Sequence, residues 1–141
     1  MRATRVTAPG AQRITINGIM AVPDNFGRLR LLILNEQPDG SPDGSWGRLR
    51  GSIPQLHAID RLPYEEAHTS PDGVRGTAWI VLPTHRRAHW LGVATALRGQ
   101  WVTAEVTVRP FIIRGAALEA ERGISLDLSM VQPARPHVGR N

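Results

Sequence analysis

Residues 97–130 read LRGQWVTAEVTVRPFIIRGAALEAERGISLDLSM, and their pattern decides the fold class. Leu97-Arg98-Gly99 is a turn. After it, Trp101-Val102-Thr103-Ala104-Glu105-Val106-Thr107-Val108 alternates strictly between two faces. The strand closes on a basic-aromatic group, Arg109, Pro110 and Phe111, and a loop holding Arg114 and Arg122 follows. Ile124-Ser125-Leu126-Asp127-Leu128-Ser129-Met130 then alternates again. Period two in both segments puts one apolar and one polar face on each, the pattern of a half-buried antiparallel hairpin. A twisted hairpin with arginine and aromatic side chains on its outer face is suited to closing a small barrel and to holding a nucleic-acid strand.

Working outward, Thr84 to Leu97 has helical character, with Trp90, Val93, Ala94 and Leu97 spaced along one apolar face. Gly76 to Leu82 reads as a short strand. Residues 46–75 are irregular: Trp46 to Arg50 reads as a strand edge, Gln55 to Arg61 as a helical turn, and Pro63 and Pro71 break anything longer. The near-tandem PDGSPDGS at 38–45 marks a flexible hairpin tip. Phe26 to Asn35 is a strand with Leu29, Leu31 and Ile33 on one face and Arg28, Arg30, Leu32 and Leu34 on the other. Pro23-Asp24-Asn25 is a turn, and Arg13 to Val22 is the first strand, bent at Gly18. The order is strand, strand, irregular segment, strand, helix, strand, strand. That order predicts an all-β domain with one short helix, a five-stranded OB-fold barrel, with a small open sheet or another barrel as the alternative. The domain spans 13–132, preceded by a flexible arm (1–12) and followed by a short basic tail (133–141).

A chain of 141 residues is one domain, large enough for a core without staples. With no cysteine, disulfides, thiolate metal sites and a cysteine nucleophile are excluded. The N-terminal MRATRVTAPGAQR lacks the apolar core of a secretory signal, and no apolar run approaches a membrane span, so a cytoplasmic protein without membrane association is expected. All 17 basic residues are arginine, and the formal net charge is +5. GC-rich arginine codons account for the bias, but the consequence is physical. Guanidinium groups grip phosphate bidentately and stack on bases, so a polyanionic partner suits this chain.

Several short motifs in this order resemble the bacterial single-stranded DNA-binding protein family. Ile14-Thr15-Ile16-Asn17-Gly18 looks like its opening strand, and Thr77-Ala78-Trp79 resembles its Thr-x-Trp. Leu97-Arg98-Gly99 with Val102 and Glu105 is similar to its turn from the helix into strand four, where Arg109 and Phe111 supply a basic and an aromatic residue at the strand's end. The resemblance covers about 13–131 and implies an OB-fold that binds single-stranded DNA in replication, recombination or repair, assembled as a dimer or tetramer. Three features depart from it. The sequence closes on Arg135-Pro136-His137-Val138-Gly139-Arg140-Asn141 instead of an acidic tail, lysine is missing, and 46–75 is long and proline-rich. A tail-less relative, of the primosomal replication protein N type or a phage- or plasmid-encoded form, fits as well.

Binding single strands without sequence preference requires π-faces for bases and a cationic track for phosphates. The expected aromatic platforms are Trp46, Trp79 and Phe111; the expected cations are Arg28, Arg30, Arg48, Arg50, Arg75, Arg109 and Arg114. Trp90 reads as core, and Trp101 as either a platform or a cap on the barrel end. His85 and His89 sit four apart, but Arg86 and Arg87 between them oppose a metal ion. Glu65, Glu66 and His68 read as surface, and no nucleophile elbow or phosphate-cradling glycine loop is present, so no catalytic residue, metal or cofactor is expected. The rival reading is a protein-interaction or scaffold module, which Leu32 and Leu34 on an outer face would serve; RNA binding is a third.

Overall fold

The computed structural model describes residues 4–7, 10–23, 28–37, 39–53, 59–66, 74–114 and 120–134. The chain is mostly β. Its elements run β1 (Thr4–Thr7), β2 (Gln12–Met20), β3 (Arg28–Leu34), α1 (Ser45–Gly51), β4 (Tyr64–Glu66), β5 (Val74–Val81), a 3-10 turn (Thr84–Arg86), α2 (Arg87–Ala96), β6 (Trp101–Arg114) and β7 (Ala120–Pro133). Among the described residues no helix is long and apolar enough to cross a membrane.

Five strands close a ring in the order β2, β3, β5, β7, β6 and back to β2. All neighbours are antiparallel except β5 and β7, which meet in parallel at the single register pair Val81 and Asp127. That junction is narrow because another segment enters it. β4 pairs with β5 through Tyr64, Glu65 and Glu66, while Arg61 just upstream bridges to Gly123 of β7. Arg122 donates its backbone N–H to the Asp60 carboxylate, and Arg61 forms an ion pair with Glu121. The irregular segment is thus a strap laid between two strands of the ring.

Period-two patterning explains the interior. Val102, Ala104, Val106 and Val108 are buried along β6, as are Leu29, Leu31 and Ile33 along β3, and the intervening residues face out. Ile16, Met20, Ala78, Ile80, Leu126 and Leu128 complete the same core. α2 closes one end, with Ala94 buried and Trp90, Leu91, Val93 and Leu97 packed against the core. Gly99 follows with φ +80°, a left-handed turn that only glycine adopts without strain, and its N–H bonds to Met20 O at 2.8 Å.

Three local expectations are revised. The hairpin arms are longer than the alternation suggested, running through Pro110 to Arg114 and from Ala120. Proline is accommodated there because Pro110 falls between two ladders: β2 pairs with β6 up to Val108, and β1 resumes at Phe111. Residues 4–7, expected in a loose arm, are therefore a strand on the outer part of β6.

The third revision concerns Trp46 to Arg50, which form a helix and not a strand edge. Two glycines make this a weak helix by propensity, so tertiary contacts hold it. Trp46 and Leu49, three apart, point inward and are buried. Asp43 accepts from the backbone N–H and hydroxyl of Ser45. The helix lies along the free edge of β2, where Asn17 N–H donates to Ser45 Oγ (2.7 Å) and Arg48 Nε donates to Thr15 O (2.8 Å). It satisfies backbone groups that would otherwise be exposed on an unpaired edge. The Gln55 to Arg61 turn falls largely outside the described residues, as do the Asp24-Asn25 turn and the tail from 135 onward.

Candidate nucleic-acid interface

The ten expected site residues separate sharply once placed in the fold. Trp46 is 7% exposed and meets Tyr64 edge-to-face at 5.1 Å between ring centroids, so it is a core residue and not a stacking platform. Burial raises the Tyr64 hydroxyl above its ordinary pKa of 10.0, an effect opposed in part by the nearby Arg50 guanidinium. Phe111 is 9% exposed, its ring lying over Gly123, where even a methyl group would collide with it. That contact holds the two hairpin arms together and removes Phe111 from any binding surface. The sequence pattern placed both aromatics outward because it could not show what packs over them.

Three of the arginines are tied to carboxylates. Arg109 donates from Nε to Asp127 at 2.8 Å, Arg50 pairs with Glu66 at 3.3 Å, and Arg48 faces Asp43 at 3.7 Å while bracing β2. Their charge is locally compensated, which weakens the case for each as a phosphate contact. The side chain of Arg114 lies outside the described residues.

The remaining four, Arg28, Arg30, Arg75 and Trp79, share one surface: the outer face of β3 and β5. Burial alternates along both strands, so Arg75, Thr77, Trp79 and Val81 project outward from β5, and Arg28, Arg30, Leu32 and Leu34 from β3. Register sets Arg30 directly opposite Trp79 and Arg28 opposite Val81. Directly opposed residues hold their Cβ atoms about 4.5–5.5 Å apart, so the Arg30 and Trp79 side chains leave the sheet side by side. Trp79 is half-buried, and Arg30 and Arg75 are exposed. Neither arginine has an ion-pair or hydrogen-bond partner for its side chain among the described residues. Two carboxylates border the face: Glu65, on β4, is paired with Thr77, and Asp127, on β7 and bonded to Arg109, stands beside Val81.

Thr77 was singled out from the sequence only within the Thr77-Ala78-Trp79 motif and not as a site residue, although its alternation with Trp79 placed it on the same face. Arg86 and Arg87 were considered only as groups that oppose a metal ion. The signal that bears on them is the absence of acid: no Asp or Glu occurs between Asp72 and Glu105, a stretch containing β5, the 3-10 turn and α2. β3 is equally free of acidic residues. The arrangement joins a flat aromatic face with the exposed guanidinium groups of Arg30 and Arg75, a surface able to stack a planar ring and hold a phosphate, and it offers no grouped donors for a metal among the described residues. No family model, curated protein or solved structure matches this chain.

Proposed function

We propose that this is a non-enzymatic OB-fold protein that binds single-stranded DNA with little sequence preference. The ring order β2, β3, β5, β7, β6, with α2 between the third and fourth ring strands of the chain, supports the OB reading. The observation that carries the functional reading is the outer face of β3 and β5, where Trp79 stands opposite Arg30 and is flanked by Arg75 and Arg28 without intervening acid on either strand. A base stacks on the indole while adjacent phosphates meet guanidinium groups, a mode that reads no base edge and so tolerates any sequence. RNA would engage the same groups, and parallel titration with oligo-U separates the two.

A protein-interaction reading has its own support in the half-buried outward pair Ile19 and Leu32, which stand opposite one another between β2 and β3. Titration of the intact protein with oligo-dT, followed by tryptophan fluorescence, distinguishes the two. Nucleic-acid binding quenches the indole signal with an affinity that falls as salt rises. Absence of both quenching and a mobility shift at micromolar protein and low salt would refute this function.

A further inference from the structure

A cleft of about 530 Å³ opens where the end of α1 meets the start of β2, with Arg13, Ile14 and Thr15 on one side and Arg48, Gly51 and Ser52 on the other. Its size is that of a ligand site, roughly 300–1,000 Å³. None of these residues belongs to the outer face of β3 and β5. Successive residues of an antiparallel strand turn their N–H and C=O to opposite edges. Thr15 C=O accepts from Arg48 Nε at 2.8 Å and Asn17 N–H donates to Ser45 Oγ at 2.7 Å, so the odd-numbered residues of β2 face α1 and the even-numbered ones bond to β6. By the same rule Arg13 faces the cleft. Neither its N–H and C=O nor the N–H of Thr15 has a hydrogen-bond partner among the described residues. α1 thus covers part of the β2 edge and leaves two donors and one acceptor open beside it.

Two N–H groups and one C=O at strand spacing are satisfied together by another extended backbone, and an antiparallel one exchanges both of its bonds with Arg13. Side chains define the rest of the occupant. The residue that bonds Arg13 carries its side chain on the same face as the Arg13 side chain, which is 68% exposed. The surface ion pair of Arg13 with Glu105, at 3.3 Å, contributes little, so a carboxylate on the added strand competes for that guanidinium. The next residue along points to the opposite face. There Ile14 packs against the core, and a Cβ on Gly51 would meet nothing within 4 Å, so the position takes an apolar side chain. A second copy pairing through this edge would instead set Arg13 against Arg13, and like charges directly opposed are destabilising.

We propose that this cleft is a second binding site, in which an extended segment of a partner protein, alternating acidic and apolar residues, adds to β2 as an antiparallel strand at Arg13 and Thr15. The main chain supplies the affinity, Arg13 selects an acidic residue, and the space over Ile14 and Gly51 selects an apolar one. Arg48, already bonded to Thr15 O, ends the row of open groups. The site is independent of the nucleic-acid reading.

The test uses the full chain and a fluorescently labelled acetyl-VEVEV-amide peptide, followed by anisotropy. Thr15→Pro deletes one edge donor and keeps the C=O that Arg48 uses, and it should weaken binding about tenfold. Gly51→Leu serves as a second variant: it fills the cleft from α1 without touching the strand edge, and it should show a similar loss with no loss of stability in urea. Modified peptides probe the same bonds with the protein intact. Methylating the Glu amides should abolish binding and methylating the Val amides should preserve it, because successive amides alternate between the β2 edge and solvent. A VKVKV peptide should bind about fivefold more weakly. No rise in anisotropy at millimolar protein, full binding by both variants, or an equal response to the two methylated peptides would overturn the site. Oligo-dT binding enters none of these outcomes, so the cleft and the β3–β5 face stand or fall separately.

Discussion

Replacing Trp79 by alanine separates stacking from charge on the proposed face. The indole projects from β5 opposite Arg30, and the backbone N–H of Trp79 remains bonded to Pro63 O at 2.8 Å whatever the side chain. Half-buried on an outer face, the side chain contributes less to folding than the core residues around it, and the variant should unfold in urea with an unchanged m-value. Loss of one stacked base costs about 1–3 kcal/mol of binding, a factor of about 5 to 150 in Kd. Since stacking displaces no counterions, the slope of log K against log salt should stay where it was. Arg30→Ala/Arg75→Ala should do the reverse, cutting the slope by about 1.4 because each single-strand phosphate contact contributes about 0.7. Anisotropy of a labelled oligo-dT, titrated at several salt concentrations, reads both quantities and does not depend on the tryptophan that has been removed. If Trp79→Ala binds as tightly as the parent, or if the arginine pair leaves the slope untouched, then the face is not the binding surface and the argument from its composition fails.

Three other outcomes follow from the packing. Trp46→Ala should destabilise the protein by about 3–5 kcal/mol in urea denaturation, the cost of emptying a buried aromatic site, and a change near zero would return Trp46 to the surface. Tyr64 is the only tyrosine in the sequence, so its phenolate absorbance reports one group. Its folded-state pKa lies above 10.0, so folding stability is at its full value below pH 10 and falls as pH climbs through the raised value; Tyr64→Phe should flatten that alkaline loss, and a titration midpoint at or below 10 would contradict the burial. Ala88→Glu should raise the melting temperature, since the first turn of α2 carries no acid and a carboxylate there gains about 0.3–1 kcal/mol against the helix dipole; a lower melting temperature would show that Ala88 is packed and not exposed.

The inward and outward positions of β3, β5 and β6 were legible from the sequence because side chains on a strand alternate whatever lies around them. That local rule placed Leu29, Leu31 and Ile33 inside, Arg30 and Trp79 outside, and the helix between β5 and β6. It also supplied the cationic chemistry of the chain, since arginine without lysine is visible in composition alone. Tertiary structure decided which of those groups remain available. Trp46 carries no mark distinguishing it from Trp79; one is enclosed because α1 folds over the edge of β2 toward Tyr64, a contact between residues 18 apart in the sequence. Phe111 is covered by Gly123 across the hairpin, and Arg109 meets Asp127 only once β6 and β7 are in register. Pairing over such separations depends on the closure of the ring, which no window of neighbouring residues contains. The pattern of 97–130 thus establishes a hairpin with two faces, while the closed ring turns its basic-aromatic end into scaffold and leaves β3 and β5 as the exposed cationic surface.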